Sequence, residues 1–562
     1  MRQRPLTGSC IGLQLAVGDT SPKSFGASIE LPLESSRNGG CLMKSNFVAC
    51  LVGLAAIAVA SNAAAQGFKI EEATIAGIQQ ALRNKTVNCR QIVQAYLDRI
   101  AAYDHKGPAL NSILTLNPKA LAEAERLDAR RASEAAVGPL HCAPLVLKDN
   151  YNTADLPTTG GSASLAGAQP RADAFVVAKL LKAGAIILGK SNMHEFALSG
   201  TTASSLGGQT LNPYDLTRTP GGSSGGTGAA VAANLALAGT GSDTVNSIRS
   251  PSSANALVGI RPTKGFLSRA GIMPVAETQD AVGPIARTVA DAALLLQVMA
   301  GYDPNDPSTA WSVGNTPSNY VQFLKPNGLR GARIGLLKIM WGSGPEHQEV
   351  NRVMAAAVAA MKKAGAEVIE IDAPALDANK LNADNDVQKY EFKALMNAYL
   401  STIPNAPVKS LAEIIASGKF HKPSLEKFLT SAESYANGMQ EPDYKERLLR
   451  DQRTRQVLIS IFAEHHLDAL VYPLQKRLVV PLTELNQADR NGILASVTGF
   501  PAITVPAGFS SPSATAPLGV PVGMDILGRP WSEGRVIEIA YSFEQAVHAR
   551  KPPRSAPALR AN

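Results

Sequence analysis

Two serines set between two pairs of glycines form the stretch of this chain that is best suited to chemistry. Residues 221–226 read Gly-Gly-Ser-Ser-Gly-Gly, and such a loop can approach a ligand closely because glycine has no Cβ. The small residues that follow predict a helix over 227–237, whose first N–H groups could face an anion or a developing oxyanion. A second polar turn, residues 243–247, comes after this helix and a return of the chain. The two turns can therefore meet at one point.

Three chemistries could use such a loop. A phosphate-binding loop needs a lysine after its last glycine, and here Thr227 follows Gly226. The nucleophile elbow, G-x-S-x-G, needs a buried strand directly upstream. Residues 212–220 instead hold two prolines among polar residues and are predicted to be a loop. The third chemistry is a serine nucleophile that is served by a lysine base.

Lys148 is the candidate base. It ends the apolar run 144–147, which is predicted to be a short buried strand. Burial disfavours the charged form of a lysine and lowers its pKa. A shift from about 10.4 to roughly 7–8 costs about 3–4 kcal/mol, which a site accepts when it needs a neutral amine as base. A solvated lysine at the end of a strand is the alternative interpretation.

At this point the residues resemble the amidase signature family of Ser-cisSer-Lys hydrolases. The resemblance rests on residues 146–150, 221–226 and 243–264, extends to 189–196 and 499–508, and covers nearly all of the chain after residue 70. It implies a catalytic triad, an oxyanion hole in the second turn and two charged residues that hold this turn. The implied triad is Ser247 as nucleophile, Ser223 as the bridging serine with a cis peptide bond, and Lys148 as base. The implied oxyanion and turn residues are Thr244, Val245 and Asn246, with Asp243 and Arg249 around them.

The second turn, residues 243–247, carries the implied nucleophile and is called the nucleophile turn below. It departs from the family at Val245-Asn246, where relatives usually carry two glycines. If position 245 needed a positive φ, a valine there would be strained, whereas an asparagine at 246 could tolerate it. Either the turn uses ordinary backbone angles, or the oxyanion hole is damaged and the chain is an impaired amide-binding protein. A glutamine amidotransferase subunit, which shares the signature, is a further alternative. So is a Ser-His-Asp enzyme, although none of the eight histidines has the surroundings of a triad member.

Alternating helix and strand patterns surround these motifs and predict one large α/β sandwich, with a central mixed sheet flanked by helices. We assign it to residues 66–562, with a helical insertion at about 373–460 that could form a wall of the substrate funnel. Helices are predicted at 75–100 (a pair broken near 86–88), 120–132, 174–182, 288–300, 349–364 and 535–546. Strands are predicted at 112–116, 144–147, 185–188, 257–260, 333–337, 368–371, 467–471, 503–505 and 519–527.

The N-terminal region predicts export. Residues 1–42 form an extension without a helix or strand pattern, and Met43 is an alternative start of translation. Residues 43–65 have the basic start, apolar core and small residues of a signal peptide, with cleavage near Ala65. The apolar core is too short to span a bilayer, so no membrane anchor is expected after cleavage. We expect a periplasmic or secreted protein, where neither tRNA nor the partner subunits of an amidotransferase would be available.

Composition and residue spacing restrict the molecules that this protein is expected to bind. The formal net charge of +8 is spread over 562 residues without a basic run, which argues against nucleic acid binding. No cysteine and histidine spacing indicates a metal site, and no cofactor is expected. The expected substrate is a small-molecule amide or a short peptide amide, and the protein is expected to be a monomer or a homodimer. Among similar proteins a small residue is typical at Cys142, so Cys142 and Cys89 are a candidate disulfide; two unrelated thiols are the alternative.

Overall fold

The structure, a computed structural model, describes residues 68–133 and 138–559. The predicted extension at 1–42 and the predicted signal peptide at 43–65 lie outside the described residues. None of the described helices combines the length and the apolar composition that a bilayer crossing needs.

Eleven strands form the central sheet, in the order β1-β3-β2-β6-β8-β7-β12-β13-β11-β9-β10, and β4 and β5 form a separate small hairpin. The strands are β1 Ile113–Leu116, β2 Pro144–Lys148, β3 Ile186–Ser191, β4 Ala203–Ser204, β5 Gly208–Gln209, β6 Ala238–Asp243, β7 Val258–Arg261, β8 Ala281–Ala286, β9 Arg333–Leu337, β10 Glu367–Ile371, β11 Ala469–Pro473, β12 Ala502–Phe509 and β13 Pro521–Leu527. Strand β2 is parallel to β3 and β6, and β9 is parallel to β10 and β11, whereas the other neighbours are antiparallel. The sheet is therefore mixed, as predicted.

Helices pack against this sheet, so the predicted α/β class is confirmed. They are Ile75–Arg83, Cys89–Tyr103, Ala120–Ser133, Phe175–Lys182, Gly225–Ala232, Arg249–Ala254, Val289–Met299, Gln348–Lys363, Ala378–Asn385, Gln388–Ser401, Leu411–Ser417, Lys422–Ser434, Pro442–Glu464, Ile493–Thr498 and Glu533–Val547. Local capping explains where several begin. The side chain of Asn88, for example, accepts from Gln91 N, and the Gln91 side chain accepts from the Asn88 backbone N–H, which separates the first two helices at the predicted break.

Residues 373–460 contain helices and no strand. Their apolar side chains, such as Phe392 and Leu425, join one buried cluster with Met193, Phe196 and Met273 of the preceding segments. The helical segment therefore packs directly on the segments that carry Met193 and Met273.

Several elements differ from the sequence prediction, among them strand β6 (Ala238–Asp243), which the prediction did not include. Strand β8 was not predicted, because Gly283-Pro284 at its centre is typical of a turn, and proline cannot donate to a strand ladder. The helix after the glycine loop ends at Ala232 instead of 237, and the chain then enters β6 at Ala238. Strand β6 matters because its last residue begins the nucleophile turn.

Candidate active site

Lys148 and Asp243 end two parallel neighbouring strands, β2 and β6, and therefore lie at the same edge of the sheet. The Lys148 side chain is fully buried. Its Nζ lies 2.7 Å from Ser223 Oγ and 2.8 Å from Ser242 Oγ. Burial lowers the pKa of Lys148 to about 7, although Asp243 and Asp280 act in the opposite direction. The lysine can therefore be a neutral proton acceptor near neutral pH.

Ser223 follows a cis peptide bond after Gly222. Its carbonyl oxygen accepts from His194 N at 2.9 Å, and the neighbouring Gly221 carbonyl accepts from Thr202 Oγ1 at 2.7 Å. A Cβ at Gly222 would meet the main chain of Gly200 at 2.9 Å. The glycine here is required for close packing, so the loop that presents Ser223 is fixed from both sides.

Ser247 lies on the second turn, and its main-chain oxygen accepts from Ser224 N at 3.3 Å. The two predicted turns therefore meet. Among the described residues, no hydrogen bond joins the hydroxyls of Ser223 and Ser247. Catalytic hydrogen bonds are often long without substrate and tighten in the substrate complex.

The nucleophile turn uses ordinary backbone angles. Neither Val245 nor Asn246 is among the residues with positive φ. In the described part of the chain, the backbone N–H groups of residues 244–247 donate to no protein acceptor. Buried N–H groups are rarely left without an acceptor, so this turn can offer several donors to an oxyanion. The sequence left open whether Val245-Asn246 would have ordinary backbone angles or a strained backbone, and the structure has ordinary angles there.

Four buried charged side chains support this turn. Asp243 Oδ2 accepts from the backbone N–H of Ile248 at 3.0 Å and from Arg249 Nε at 3.1 Å. Arg249 Nη1 pairs with Asp525 Oδ2 at 2.7 Å, and Arg261 Nη1 pairs with Asp243 Oδ1 at 3.0 Å. Burial raises the pKa of Asp243, but the two arginines outweigh burial and hold it at about 2. Arg249 Nη2 also donates to the Val245 carbonyl at 2.6 Å, which ties the charges to the turn.

Sequence reasoning did not single out several residues of this site. Asp525 is the lone carboxylate in the apolar run of β13, and Arg261 ends the apolar β7. An isolated charge in a buried strand implies a partner of opposite charge, so both could have been found by the signal that identified Lys148. Ser242 and Asn150 carry no such signal, although Asn150 Nδ2 donates to Ser242 Oγ at 2.9 Å beside the lysine.

The histidines do not form a Ser-His-Asp arrangement in the described residues. Ser424 Oγ lies 2.9 Å from His194 Nε2 and 2.7 Å from His421 Nδ1. The remaining His194 nitrogen faces Thr201 and the backbone N–H of Ala203. Burial lowers the pKa of His194 to about 3. This histidine is therefore neutral and links the helical segment to the loop that holds Ser223.

Two cavities adjoin the predicted site, and Thr244 lines both. The smaller, of about 110 Å³, is the one that Ser247 lines; Asp386, Gln388, Phe428 and Arg490 also line it. The larger, of about 210 Å³, is lined by Ser242 and by the segment 269–282, and Ser247 is not among its lining residues. Ser247, the predicted nucleophile, is therefore reached through the smaller cavity, which we call the nucleophile cavity.

Cys89 and Cys142 lie together, with Cα atoms 5.3 Å apart, and the structure pairs their sulfurs. The distance condition for a disulfide is met, and the bond itself stays a prediction. His141 Nε2 lies 3.8 Å from Cys89 Sγ, so the three buried side chains could together hold a metal ion. No spacing in the sequence indicates this grouping, because Cys89 is far from the other two. Pairing of the sulfurs would remove two of the three ligands, and the absence of a metal site also stays a prediction.

The sequence has relatives among known proteins. A family model described as Amidase matches residues 91–537. The chain is 35% identical over 509 residues to a probable amidase of Arabidopsis thaliana, covering 87% of this chain and 92% of that protein. It is 33% identical over 513 residues to a glutamyl-tRNA(Gln) amidotransferase subunit of a Synechococcus strain, covering 86% of this chain and 94% of that protein.

Solved structures agree with the sequence relatives. The native peptide amidase from Stenotrophomonas maltophilia is similar with a TM-score of 0.77 and 37% identity, covering 86% of this chain and 98% of that chain. A bacterial aryl acylamidase is similar with a TM-score of 0.72 at 24% identity, covering 84% of this chain and 96% of that chain, and this likeness shows the fold alone.

Proposed function

The chain belongs to the amidase signature family, and on that premise we propose that it hydrolyses carboxylic amides through a Ser247 acyl-enzyme. The observation that carries the proposal is the contact of 2.7 Å between the fully buried Lys148 Nζ and Ser223 Oγ. A lysine in this place with a pKa of about 7 can act as a base for a serine at neutral pH.

The reaction begins when neutral Lys148 accepts the proton of the Ser223 hydroxyl while Ser223 accepts that of Ser247. Ser247 Oγ then attacks the amide carbonyl, and the free N–H groups of the nucleophile turn receive the oxyanion. Loss of one such donor typically costs about 2.7–4 kcal/mol of transition-state stabilisation. Ser223 returns a proton to the leaving amine, and water repeats the sequence on the acyl-enzyme.

Two further features belong to the proposal. The substrate is a small-molecule amide or a short peptide amide, in line with the similarity to a peptide amidase and with the small volume of the nucleophile cavity. The protein works in the periplasm or outside the cell, after cleavage of a signal peptide at 43–65. Asp243 and Arg249 act by holding the turn and take no part in proton transfer.

The second candidate is a glutaminase subunit of an amidotransferase. Relatives that are named as subunits of glutamyl-tRNA(Gln) amidotransferases favour it, and the predicted signal peptide argues against it. An impaired amide-binding protein is less well supported, because Lys148, Ser223 and Ser247 are intact and the N–H groups of the turn are free of protein acceptors among the described residues.

Two measurements test the proposal. Incubation with a fluorophosphonate should label Ser247 of the wild-type protein and leave the Ser247→Ala variant unlabelled. Release of ammonia or amine from peptide, aryl and aliphatic amides should then identify the preferred substrate, with free glutamine in the same panel. Preference for glutamine would favour the second candidate. Absence of both labelling and hydrolysis would favour the amide-binding protein.

A further inference from the structure

The nucleophile cavity contains an arginine without a protein partner. Arg490 lines this cavity together with Ser247 and Asn246. Its guanidinium makes no hydrogen bond and no ion pair with any residue that the structure describes. A guanidinium has five N–H donors, and polar groups in a partly buried site normally find acceptors. Without a substrate these donors have no protein acceptor among the described residues, so they can bind a ligand that enters the cavity.

The position of Arg490 is fixed by its main chain. Its carbonyl accepts from Asn382 Nδ2 at 3.4 Å, and the next residue, Asn491, donates to the Met340 and Pro473 carbonyls at 2.7 and 2.8 Å. Gly492 then lies so close to the nucleophile turn that an added Cβ would overlap that of Asn246. The arginine is therefore mounted on a segment that packs directly against the residue before the nucleophile.

Asp386 shares the cavity wall but is not a direct partner of Arg490. Its Oδ1 accepts from the backbone N–H of Gln388 at 3.0 Å and from Gln388 Nε2 at 2.9 Å. Oδ2 has no hydrogen-bond partner among the described residues. Burial lowers the pKa of Arg490, and Asp386 acts against this shift. The two side chains thus offer one set of donors and one acceptor beside the nucleophile.

We propose that Arg490 binds a carbonyl oxygen in the acyl part of the substrate while Asp386 accepts an amide N–H of the same substrate. The preferred substrates are then N-acylated amino acid amides, that is, peptide amides. The charges of Arg490 and Asp386 sum to zero, so a neutral amide unit fits the pair better than a carboxylate, which Asp386 repels. This inference rests on the proposed amide hydrolysis at Ser247.

The test compares two amides that differ in this unit: N-acetyl-phenylalanine amide, which carries it, and 3-phenylpropionamide, which lacks it. In Arg490→Met, kcat/KM for the first should fall about 10- to 100-fold, as for loss of a charged hydrogen bond. The value for the second should stay within about threefold, since it loses no contact. Arg490→Lys, which keeps a single-point donor, should fall between wild type and Arg490→Met. Arg477→Met is the matched control, because Arg477 pairs with Glu484 outside the cavity, and it should change neither value.

Three results would overturn the inference. Equal losses on both amides in Arg490→Met and Arg490→Lys would make Arg490 a structural residue. No loss on either amide would remove it from recognition. Faster hydrolysis of succinamic acid than of N-acetyl-phenylalanine amide, abolished in Arg490→Met, would show carboxylate recognition instead. If hydrolysis and Ser247 labelling are normal in these cases, the proposed function stands alone; if no amide is hydrolysed and Ser247 is unlabelled, both fail.

Discussion

The nucleophile turn and the part of the cavity wall that carries Asp386 and Arg490 use charge in different ways. Around the turn, Asp243, Arg249, Arg261 and Asp525 are fully buried and pair with one another. On that wall, Asp386 and Arg490 are only partly buried and form no ion pair among the described residues.

This difference separates two tasks. Buried ion pairs contribute little net stability but are costly to break, because one partner is then left unpaired. They therefore suit a turn whose backbone must hold one geometry. Groups that keep their donors and acceptors free suit a surface that must recognise a substrate. The turn is expected to determine rate and stability, and the wall to determine which amide is chosen.

The largest effect should come from the catalytic residues themselves. Ser247→Ala and Lys148→Met should lower kcat by at least about 10³-fold, because each removes a whole function of the acyl transfer. Ser223→Ala should keep a measurable residue of activity, since water can replace the middle hydroxyl of the relay. Steady-state kinetics would measure this, with the exposed Lys182→Met and Ser401→Ala as controls. Near-normal turnover in Ser247→Ala would show that the nucleophile is another residue.

A pair of matched aspartate substitutions tests the comparison directly. Asp243→Asn leaves the two arginines with one carboxylate, and it should lower the free energy of unfolding by about 3–5 kcal/mol. Asp386→Asn keeps the size of a partly exposed side chain, and it should change that free energy by no more than about 0.5 kcal/mol. Urea unfolding would measure both. If both substitutions lowered the free energy of unfolding equally, the charges of the turn and of the wall would not differ in their contribution to stability.

The predicted disulfide would join the helix that begins at Cys89 to the residues just before strand β2, which ends at Lys148. A link between Cys89 and Cys142, separated by 53 positions, should stabilise the fold by about 4 kcal/mol in the chain-entropy model. A non-reducing peptide map should contain the crosslinked peptides, and reduction should make the wild type unfold like the Cys89→Ser/Cys142→Ser double variant. Two freely alkylated thiols in the native oxidised protein would exclude the link.

The effect of pH on kcat/KM should be smaller than the effects of these substitutions. It should come from Lys148, beside the nucleophile turn, and not from the wall that carries Arg490. In the proposed mechanism Lys148 acts as a neutral amine, so kcat/KM should fall about tenfold per pH unit below a pKa of about 7 and level off above it. Burial raises the pKa of Asp451 to about 7 as well, so Asp451→Asn is the control and should keep the profile. Arg490→Met should also keep it. A flat profile between about pH 5 and 9, with chemistry rate-limiting, would argue against a lysine base.

Much of the fold could be predicted because its signals are local. The break between the first two helices lies at Asn88, whose cap is visible in the sequence, and most strands are short apolar runs. Strand β8 was missed because its pairing overrides the turn preference of Gly283-Pro284. Tertiary pairing of this kind has no trace in a window of neighbouring residues.

The residues of the site likewise fall into those that could be predicted from the sequence and those that could not. Lys148, Ser223 and Ser247 could be recognised because each lies in a distinctive motif. Arg490 and Asp386 lie in no motif; the packing of the helical segment brings Asp386 to the nucleophile cavity, and the packing of Gly492 against Asn246 brings Arg490 there. Their spacing in the sequence carries no information about that approach, so substrate choice could not be read from the chain.

The ion pair between Arg249 and Asp525 also bears on when activity can appear during synthesis. These residues are 276 positions apart, so the ribosome delivers the lysine and both serines long before Asp525. Until then the buried cluster would hold two arginines against the single carboxylate of Asp243, and a buried unpaired charge is costly. We therefore expect a chain truncated before β13 to lack the fixed geometry of its nucleophile turn. Hydrolytic activity should then require almost the whole chain.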